Sequence, residues 1–368
     1  MMTRKERFER ALRREEVDRL PFWVKVFGGS YLDFQPERYR EMAELELADY
    51  LDLDHMAGGP SPVACTNDRV ERHDERLNGR RITEWKTPDG TLRQVNGYDE
   101  SSHTWHPIEF PIKEPAAIKA ALHIYERSRF EVNEEALPRC AERLRQVGDR
   151  GIVMTGMGIS PLMDLIQHLI GPMNTYFFLT DCPKPMDTLI AAMHDERLRF
   201  LRCLLTACPY DYIVSVENTS TTLLSPAVFE RYCWRHLMDY GRLITEAGKM
   251  HVLHQCGKLH ALLPKIEELP ASAIEAYSSP PVGNTTLADR VERAPTTAII
   301  GGTNATTWLQ PVDAICESIE QSLVEAGTLA GVVLTSAGVM PPACSIETIR
   351  QVRERMKEMT PARVACQA

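Results

Sequence analysis

Short runs of β-branched and other apolar residues alternate with amphipathic segments through the second half of the chain. Short apolar runs bounded by turn residues are typical of buried strands, and apolar positions spaced by three and four are typical of helices packed on a core. Strands that alternate with helices in this way predict parallel βα units rather than a sandwich of antiparallel sheets. The strands predicted in this half are Tyr212–Val216, Met250–His254, Ala273–Ala276, Ala298–Gly301 and Gly331–Thr335.

The first half of the chain is less regular, but it contains further apolar runs of the same kind. These predicted strands are Leu20–Val26, Leu53–Ala57 and Gly151–Thr155, which brings the total to eight. Between the second and third strands, Arg81–Lys86 and Thr91–Val95 flank Pro88-Asp89-Gly90, a turn sequence typical of a β-hairpin. We therefore predict an α/β fold, a single (β/α)8 barrel with this hairpin as an excursion over one end. A doubly wound open sheet is the alternative.

Several helix ends carry recognisable sequence signals. Ser160-Pro161 and Ser225-Pro226 each combine an N-cap serine with a proline in the first turn. Gly327 is predicted to end a helix, and Ser345 to begin the one that follows the last strand. In a barrel of this type, the side chains that carry the chemistry lie at the carboxyl ends of the strands.

Composition and charge are those of a soluble globular protein. Apolar residues make up 43% of the chain and charged residues 25%, and 42 basic against 51 acidic side chains give a formal charge of −9. An acidic protein gains nothing from counterion release on DNA, which argues against nucleic acid as a partner. No apolar run approaches the ~20 residues that a membrane span needs, and the N-terminal sequence is unlike a secretory signal. The ten cysteines form no C-x-x-C pair, so we expect free thiols in a cytoplasmic protein with no membrane partner.

His254, Cys256 and Cys344 are candidate ligands of a metal ion. His254 and Cys256 stand two positions apart at the end of one strand, so their side chains can face the same side. Cys344 precedes Ser345 at a helix N-terminus, where the helix dipole favours a thiolate. One imidazole and two thiolates suit Zn²⁺, and three protein ligands leave one coordination position open. A packed Cys256 beside a hydrogen-bonded His254 is the alternative interpretation.

These residues also carry a resemblance to a known family. His254–Gly257, together with Cys344 in Pro341–Ser345, resembles the H-x-C-x(n)-C zinc motif of the corrinoid:thiol methyltransferases. These are the methylcobamide:coenzyme M methyltransferase branch of the uroporphyrinogen decarboxylase superfamily. Ser160–Leu165, Gly171-Pro172 and Ser225–Phe229 resemble the superfamily as well. The resemblance covers nearly the whole chain and implies one uroporphyrinogen-decarboxylase-like TIM-barrel domain over residues 1–368.

The resemblance implies a reaction, a cofactor and partners. A small thiol activated on Zn²⁺ would displace the methyl group of a methylcorrinoid co-substrate and give a thioether and Co(I). The chain has no D-x-H-x-x-G motif for vitamin B12, so the corrinoid is expected on a partner corrinoid protein. Coenzyme M, homocysteine and other small thiols stay open as acceptors, and so does the oligomeric state.

Other functions stay open beside this one. True uroporphyrinogen decarboxylases carry an arginine-rich R-Q-A-G-R segment after the first strand, whereas Pro21–Gly29 contains no arginine. An eight-carboxylate porphyrinogen would therefore lack its cationic partners here, which makes decarboxylation the weaker interpretation. A corrinoid-dependent demethylase or pterin methyltransferase of the same superfamily is a further alternative, as is a barrel that binds a corrinoid or porphyrin-like ring without converting it.

Five more residues are candidate site residues because they follow strand ends. Cobalamin-independent methionine synthases, on a comparable barrel, bind zinc through H-x-C, a Glu and a Cys. By that similarity Glu275 is expected to be a metal ligand or a hydrogen-bond acceptor behind one. We predict catalytic roles for Glu275 and Glu217, and substrate contacts for Asn218, Tyr277 and Asn304.

Overall fold

The computed structural model describes residues 1–27, 31–100 and 103–367. The strands, in chain order, are β1 (His55–Gly58), β2 (Val63–Asn67), β3 (Glu71–Leu77), β4 (Arg80–Thr87), β5 (Gly90–Asp99), β6 (Thr104–Glu109), β7 (Ser128–Val132), β8 (Gly151–Gly158), β9 (Tyr212–Val216), β10 (Met250–His254), β11 (Ala273–Tyr277), β12 (Ala298–Gly302) and β13 (Val332–Thr335). The α-helices are α1 (Arg4–Leu12), α2 (Glu37–Arg40), α3 (Glu44–Tyr50), α4 (Ile118–Arg127), α5 (Leu137–Val147), α6 (Pro161–Asp164), α7 (Pro172–Asp181), α8 (Pro183–Ala207), α9 (Pro226–Phe229), α10 (Arg235–Glu246), α11 (Leu263–Glu267), α12 (Leu287–Arg293), α13 (Val312–Ala326), α14 (Ile346–Met356) and α15 (Pro361–Gln367). Short 3-10 or π segments lie at Tyr31–Phe34, Pro115–Ala117, Gly148–Arg150, Leu165–Leu169, Glu230–Trp234 and Thr307–Leu309.

A curled sheet of seven parallel strands forms the centre of the molecule. Its strand order is β1-β8-β9-β10-β11-β12-β13, and every neighbouring pair is parallel. Strands β11, β12 and β13 are buried at every position, as expected for a parallel sheet with helices packed on it. The α/β class and the parallel sheet predicted from the sequence are confirmed, and β9 and β10 begin and end at the predicted residues.

The segment predicted as the first strand, Leu20–Val26, joins the two outer strands of this sheet without forming a continuous strand itself. It makes isolated parallel bridges from Phe22 to Leu334 and from Lys25 to Val339. On its other side, Phe22 O accepts a hydrogen bond of 2.8 Å from the backbone N–H of Asp54, just before β1. The pairing is interrupted because the Val26 N–H bonds within the segment, to Val24 O. The segment therefore links β13 to β1 through single bridges. Gly28 and Gly29, which belong to the same stretch of sequence, lie outside the described residues.

An antiparallel excursion lies between β1 and β8. Strands β3, β4, β5 and β6 form one sheet in that order, and β2 pairs with β7 in another. The β4–β5 pairing, closed by Thr87 opposite Gly90, lies at the residues for which the sequence predicts a hairpin. The pattern did not reveal β3, because all seven of its residues are exposed and it lacks apolar alternation.

Serine caps and a glycine end shape several helices around the sheet. The Ser225 and Ser345 hydroxyls accept hydrogen bonds from the backbone N–H groups of Val228 and Thr348. Gly327 ends α13 in the left-handed conformation, with φ of 66°, which is the geometry that favours glycine. Ser160 precedes α6 as predicted, but its side chain makes no capping hydrogen bond. No helix among the described residues is both long enough and apolar enough to cross a bilayer.

Buried charges hold the base of the sheet together. Asp54, which is fully buried, receives Arg7 Nη1 at 2.5 Å on one carboxylate oxygen and Arg353 Nη2 at 3.3 Å on the other. The second oxygen also accepts the backbone N–H of Phe22 at 2.9 Å. This cluster connects α1, the segment Leu20–Val26 and α14.

Candidate active site

A cavity of about 440 Å³ opens at the carboxyl ends of the parallel strands, where a barrel of this class carries its chemistry. One group of polar side chains in it consists of Lys25, His254 and Glu275, and we call this group the near pole. A second group consists of Glu44, His55 and Arg143, which we call the far pole. Most of the remaining wall is apolar, with side chains that include Trp23, Val24, Phe27, Met56, Met154, Val214 and Val216.

Glu275 connects the charged groups of the near pole. Its carboxylate accepts from His254 Nδ1 through one oxygen and lies 2.6 Å from Lys25 Nζ through the other. The Glu275 side chain is 3% exposed. Burial acts to raise the pKa of Glu275, but the Lys25 charge and the hydrogen bond to His254 outweigh it, and the pKa is lowered. Since Glu275 accepts the proton of His254 Nδ1, Nε2 is the ring nitrogen left for another partner.

Cys256 lies against His254, as the i, i+2 spacing predicts. Burial acts to lower the pKa of His254, but hydrogen bonds with Cys256 and Glu275 raise it to about 9. The Cys256 Sγ–H donates to Asn218 Oδ1 at 3.2 Å, and Asn218 Nδ2 donates to Gln167 Oε1 at 2.7 Å. Asn218 adopts φ of 51°, and its N–H and that of Glu217 both bond to His254 O. The loop after β9 is thereby fixed against the end of β10.

Cys344 is buried beside the N-terminus of α14, where burial opposes the effect of the helix dipole. The sequence places it where the helix dipole favours a thiolate, but burial raises its pKa to about 12. Its Sγ donates to Ser345 O at 3.8 Å, and its carbonyl oxygen accepts from the Tyr31 hydroxyl at 2.7 Å. Desolvation therefore outweighs the dipole and favours the neutral thiol.

Within residues 1–27, 31–100 and 103–367, no three His, Cys, Asp or Glu side chains are arranged to hold a metal ion. The structure brings His254, Cys256 and Glu275 into one hydrogen-bonded cluster. Imidazole and thiol donors are the ones that zinc prefers, and Glu275 is the carboxylate that commonly orients such a histidine. The imidazole and thiol donors therefore fit zinc in their chemistry. Cys344 is the predicted ligand that would have to join His254 and Cys256.

Glu217 is placed in a buried polar group behind the cavity rather than on its wall. It is fully buried, and its carboxylate accepts the backbone N–H of Ser160 at 3.1 and 3.2 Å. Burial raises the pKa of Glu217 to about 7. This contact links the end of β9 to the start of α6. Ser160 therefore contributes through its backbone N–H rather than through a side-chain cap.

Tyr277 and Asn304 are placed in positions that stabilise loops. Tyr277 is fully buried, and its hydroxyl donates to Thr286 O at 2.9 Å. Asn304 Nδ2 donates to Ser279 Oγ and Pro280 O, and Asn304 Oδ1 accepts from Thr306 and Thr307. The hydrogen-bonding capacity of Asn304 is used within its own loop region, so substrate contacts by these two side chains stay a prediction.

The far pole is built on three elements. Arg143 in α5 donates through Nη2 to both Glu44 oxygens at 2.6 Å and through Nε to Gly58 O at 2.9 Å. His55 Nε2 lies 2.8 Å from Glu44 Oε1. The hydrogen bond from His55, and after it Arg143, lower the pKa of Glu44 to about 2 against the effect of burial. Glu44 is therefore ionised at neutral pH.

Sequence reasoning missed Lys25, Gln167 and the whole far pole. Lys25 had a visible signal, because it is the one charged residue between Pro21 and Phe27 in an otherwise apolar segment. Arg143 and Glu44 look like ordinary exposed residues of amphipathic helices. Their meeting depends on the tertiary arrangement alone.

Comparisons with known proteins agree with this fold. The family model described as uroporphyrinogen decarboxylase (URO-D) matches residues 108–359, which is more than half of the chain. Among solved structures, a methyltransferase from Methanosarcina mazei is similar with a TM-score of 0.56 and 14% identity, over 96% of this chain and 99% of that one. A structure from Listeria monocytogenes described as a vitamin-B12-independent methionine synthase has a TM-score of 0.31, 16% identity and 68% coverage of both chains, which is too low to indicate a shared fold. No curated protein matches the sequence.

Proposed function

We propose, from the premise that the chain belongs to the uroporphyrinogen decarboxylase family, that it is a methyltransferase. It would move a methyl group from a methylated corrinoid, carried by a corrinoid protein, to a small thiol activated on zinc. The observation that carries this proposal is the meeting of His254, Cys256 and Glu275 at the carboxyl ends of two neighbouring strands. The fold similarity to a methyltransferase from Methanosarcina mazei is consistent with it.

His254, Cys256 and Cys344 would hold the zinc ion. When bound, zinc would lower the pKa of a coordinated thiol, so that the thiol is present as a thiolate at neutral pH. Glu275 accepts the Nδ1 proton of His254, so Nε2 is the ring nitrogen that would bind the metal. Asn218 holds the Cys256 side chain in place. The apolar wall of the cavity would limit the access of water to the bound sulfur.

The reaction balances without a general base at the moment of transfer. A lone pair of the thiolate sulfur would form the new S–C bond, and the electron pair of the broken Co–C bond would stay on cobalt. The methyl-Co(III) co-substrate would leave as Co(I), and the thiol would leave as a methyl thioether. The proton of the thiol leaves when the thiolate forms.

The charges of the cavity argue against decarboxylation of a porphyrinogen. Its cationic side chains are Lys25, Arg143 and, because of its raised pKa, His254, and each is already paired with a carboxylate. Lys25 and His254 share Glu275, and Arg143 pairs with Glu44. A substrate with eight carboxylates needs unpaired cations, preferably arginines that bind in two-pronged fashion. The cavity provides none.

Metal analysis together with a methyl-transfer assay tests the proposal. We expect about one zinc per chain, and formation of a methyl thioether with Co(I) from methylcobalamin and a small thiol. The Cys344→Ser variant should lose zinc and transfer while its circular dichroism stays that of the parent chain. Cys65→Ser, at an exposed cysteine on β2, is the matched control and should keep both.

Other outcomes would identify the alternatives. Methyl transfer to a pterin, or demethylation of a methylated substrate, without zinc would favour the other corrinoid-dependent enzymes of the superfamily. Carbon dioxide release from uroporphyrinogen would favour decarboxylation. Tight corrinoid binding with no turnover and no zinc would favour a binding protein.

A further inference from the structure

The far pole contains more hydrogen-bonding atoms than the protein itself uses. Arg143 donates through Nε and Nη2, and its Nη1 makes no hydrogen bond among the described residues. His55 is 1% exposed, and its buried Nδ1 has no hydrogen-bond partner within residues 1–27, 31–100 and 103–367. Trp23, which lines the same cavity, is 6% exposed, and its indole N–H also has no partner in this described part of the chain.

Unpartnered buried polar atoms are uncommon in folded proteins, because each loses its hydrogen bond to water and gains nothing in return. Such atoms at the wall of a cavity are typical of a site that a ligand completes. Here the unused atoms include donors, on Trp23 and Arg143, and His55 Nδ1. When His55 is neutral with its proton on Nε2 toward Glu44, Nδ1 is an acceptor.

We propose that Glu44, His55 and Arg143 bind the head group of the methyl acceptor, and that this acceptor is a small thiol with an α-amino-acid group. The role of this ligand as methyl acceptor rests on the proposed function. The binding site itself is inferred from the cavity alone. The carboxylate of the ligand would accept from Arg143 Nη1 and the Trp23 indole N–H. Its ammonium group would donate to Glu44 and His55 Nδ1.

The mixture of charges at the far pole distinguishes this ligand from a purely anionic one. Glu44 accepts from both His55 and Arg143 and is ionised, so the pole carries a fixed negative charge beside its positive one. A sulfonate or phosphate offers acceptors only, and it would lie against the Glu44 carboxylate with no donor for His55 Nδ1. An amino-acid group offers one charge of each sign on a single carbon. Specificity then comes from repulsion of the wrong ligand as well as attraction of the right one.

The rest of the cavity fits the remainder of such a molecule. A side chain of methylene groups ending in sulfur would run along the apolar wall made by residues such as Met56, Met154 and Val214. Its sulfur would then lie toward His254 at the near pole. A volume of about 440 Å³ lies in the range of ordinary small-molecule sites and leaves the corrinoid to approach from the open side.

Calorimetric titration with thioethers tests the head-group site without any methyl transfer. L-Methionine is the methylated product expected from an amino-acid thiol, and 2-(methylthio)ethanesulfonate is its sulfonate counterpart. We expect methionine to bind at least tenfold more tightly than the sulfonate. Equal or tighter binding of the sulfonate, or no binding of methionine, overturns the proposal.

Three variants show whether binding depends on the named atoms. Arg143→Gln should weaken methionine binding at least tenfold, and Trp23→Phe, which removes only the indole N–H and part of the ring, should weaken it severalfold. Arg145→Gln is the matched control, because Arg145 lies on the same helix with a side chain that is 75% exposed. Melting curves identify a variant that fails to fold. If Arg143→Gln fails to fold, Trp23→Phe still tests the proposal. Unchanged affinity in both folded variants overturns the proposal.

A methyl-transfer assay separates this inference from the proposed function. Homocysteine, 2-mercaptoethanesulfonate and 2-mercaptoethanol are compared as acceptors with methylcobalamin. If methionine binding depends on Arg143 but no thiol is methylated, the head-group site is upheld and the proposed function fails. If 2-mercaptoethanesulfonate is the preferred acceptor, the function is upheld and the head-group assignment fails.

Discussion

Lys25 determines the electrostatic character of the near pole. Its ammonium group lies 2.6 Å from a Glu275 oxygen and 3.4 Å from His254 Nδ1, and its side chain is only 15% exposed. An ammonium group at this position neutralises a carboxylate that burial would otherwise destabilise. Its backbone also bridges Val339, five residues before Cys344. Lys25 therefore connects the two parts of the sequence that supply the predicted metal ligands.

Replacement of Lys25 by methionine tests how much this pair contributes. The change removes the ammonium partner of the buried Glu275 carboxylate and leaves it with His254 alone, so we expect the free energy of unfolding at neutral pH to fall by about 3 kcal/mol. Urea denaturation followed by circular dichroism measures it. The double variant Lys25→Met/Glu275→Gln should recover most of the loss, because neither partner is then charged. A single variant as stable as the parent chain would contradict this account.

The candidate site was predictable where a short sequence spacing fixes the geometry. His254 and Cys256 meet because residues two apart on a strand share a face, and Glu275 joins them because β10 and β11 are neighbours. The protonation of Cys344 was not predictable, because the dipole is a local property whereas burial depends on the whole fold. Asn304 is similar, since only the structure shows that its own loop uses its amide.

At the scale of elements, helix caps that look alike in the sequence differ in the structure. Ser345 Oγ accepts the Thr348 N–H at 3.0 Å. Ser160 Oγ, in contrast, has no hydrogen-bond partner among the residues that the structure describes, and the Ser160 N–H donates to Glu217. A sequence pattern identifies the N-cap position, but the competing partner lies far away along the chain. The same limit applies to β3, whose exposed residues pair through the backbone and leave no apolar pattern.

Alanine substitution should separate the two serines. Ser345→Ala removes a capping hydrogen bond of α14, and we expect the free energy of unfolding to fall by about 1 kcal/mol. Ser160→Ala keeps its backbone N–H and removes only an unpartnered hydroxyl, so its effect should be smaller. Chemical denaturation of both variants measures the difference. An equal loss in the two would show that the Ser345 cap does not stabilise its helix.

A half-buried histidine pair lies where α8 packs against α10. The rings of His194 and His236 stack with centroids 4.3 Å apart and planes inclined by 28°. Burial, and after it the neighbouring His194, lower the pKa of His236 to about 4. His194 also faces Asp239 at 3.2 Å and the Tyr240 hydroxyl at 3.0 Å. Protonation of His236 is therefore disfavoured in the folded state.

This arrangement predicts acid sensitivity. Between the folded pKa of about 4 and the ordinary value of 6.5, the unfolded chain binds more protons than the folded one, so stability falls as the pH falls through that range. The titration of His236 alone should lower the free energy of unfolding by about 2 kcal/mol between pH 7 and pH 5. Urea denaturation at both pH values should show a smaller loss for His236→Gln, whereas His73→Gln on the exposed strand β3 should behave like the parent chain. An unchanged loss in His236→Gln would contradict the prediction.

At the scale of the whole molecule, the cluster around Asp54 joins elements that are far apart in sequence. Arg7 belongs to α1 and Arg353 to α14, and both lie on one carboxylate that also holds the backbone of Phe22. The alternation of strands and helices made the parallel sheet predictable. The way its outer strands are linked was not, because single bridges at Phe22 and Lys25 leave no periodic pattern.

Asp54→Asn should be among the most destabilising single changes. It removes the carboxylate that two buried guanidinium groups share, although Arg7 keeps Asp18 and Arg353 keeps Asp52. We expect a loss of about 3 kcal/mol in the free energy of unfolding. Asp313→Asn is the comparison, because its ion pair with Arg355 is exposed, and such pairs contribute little. Chemical denaturation of the two variants checks the contrast. Similar losses would mean that burial of the Asp54 cluster does not determine its contribution.

The link between Phe22 and Leu334 has a consequence for biosynthesis. More than three hundred residues separate these partners in the sequence, so a ribosome must translate all of them before this apolar segment can pair with Leu334. Until then Phe22, Trp23 and Val24, all buried in the finished protein, face solvent on a nascent chain. Late long-range pairing of this kind is slow and leaves intermediates that are prone to aggregate. Folding in the cell should therefore depend on chaperones that shield this early segment until the last strand has emerged.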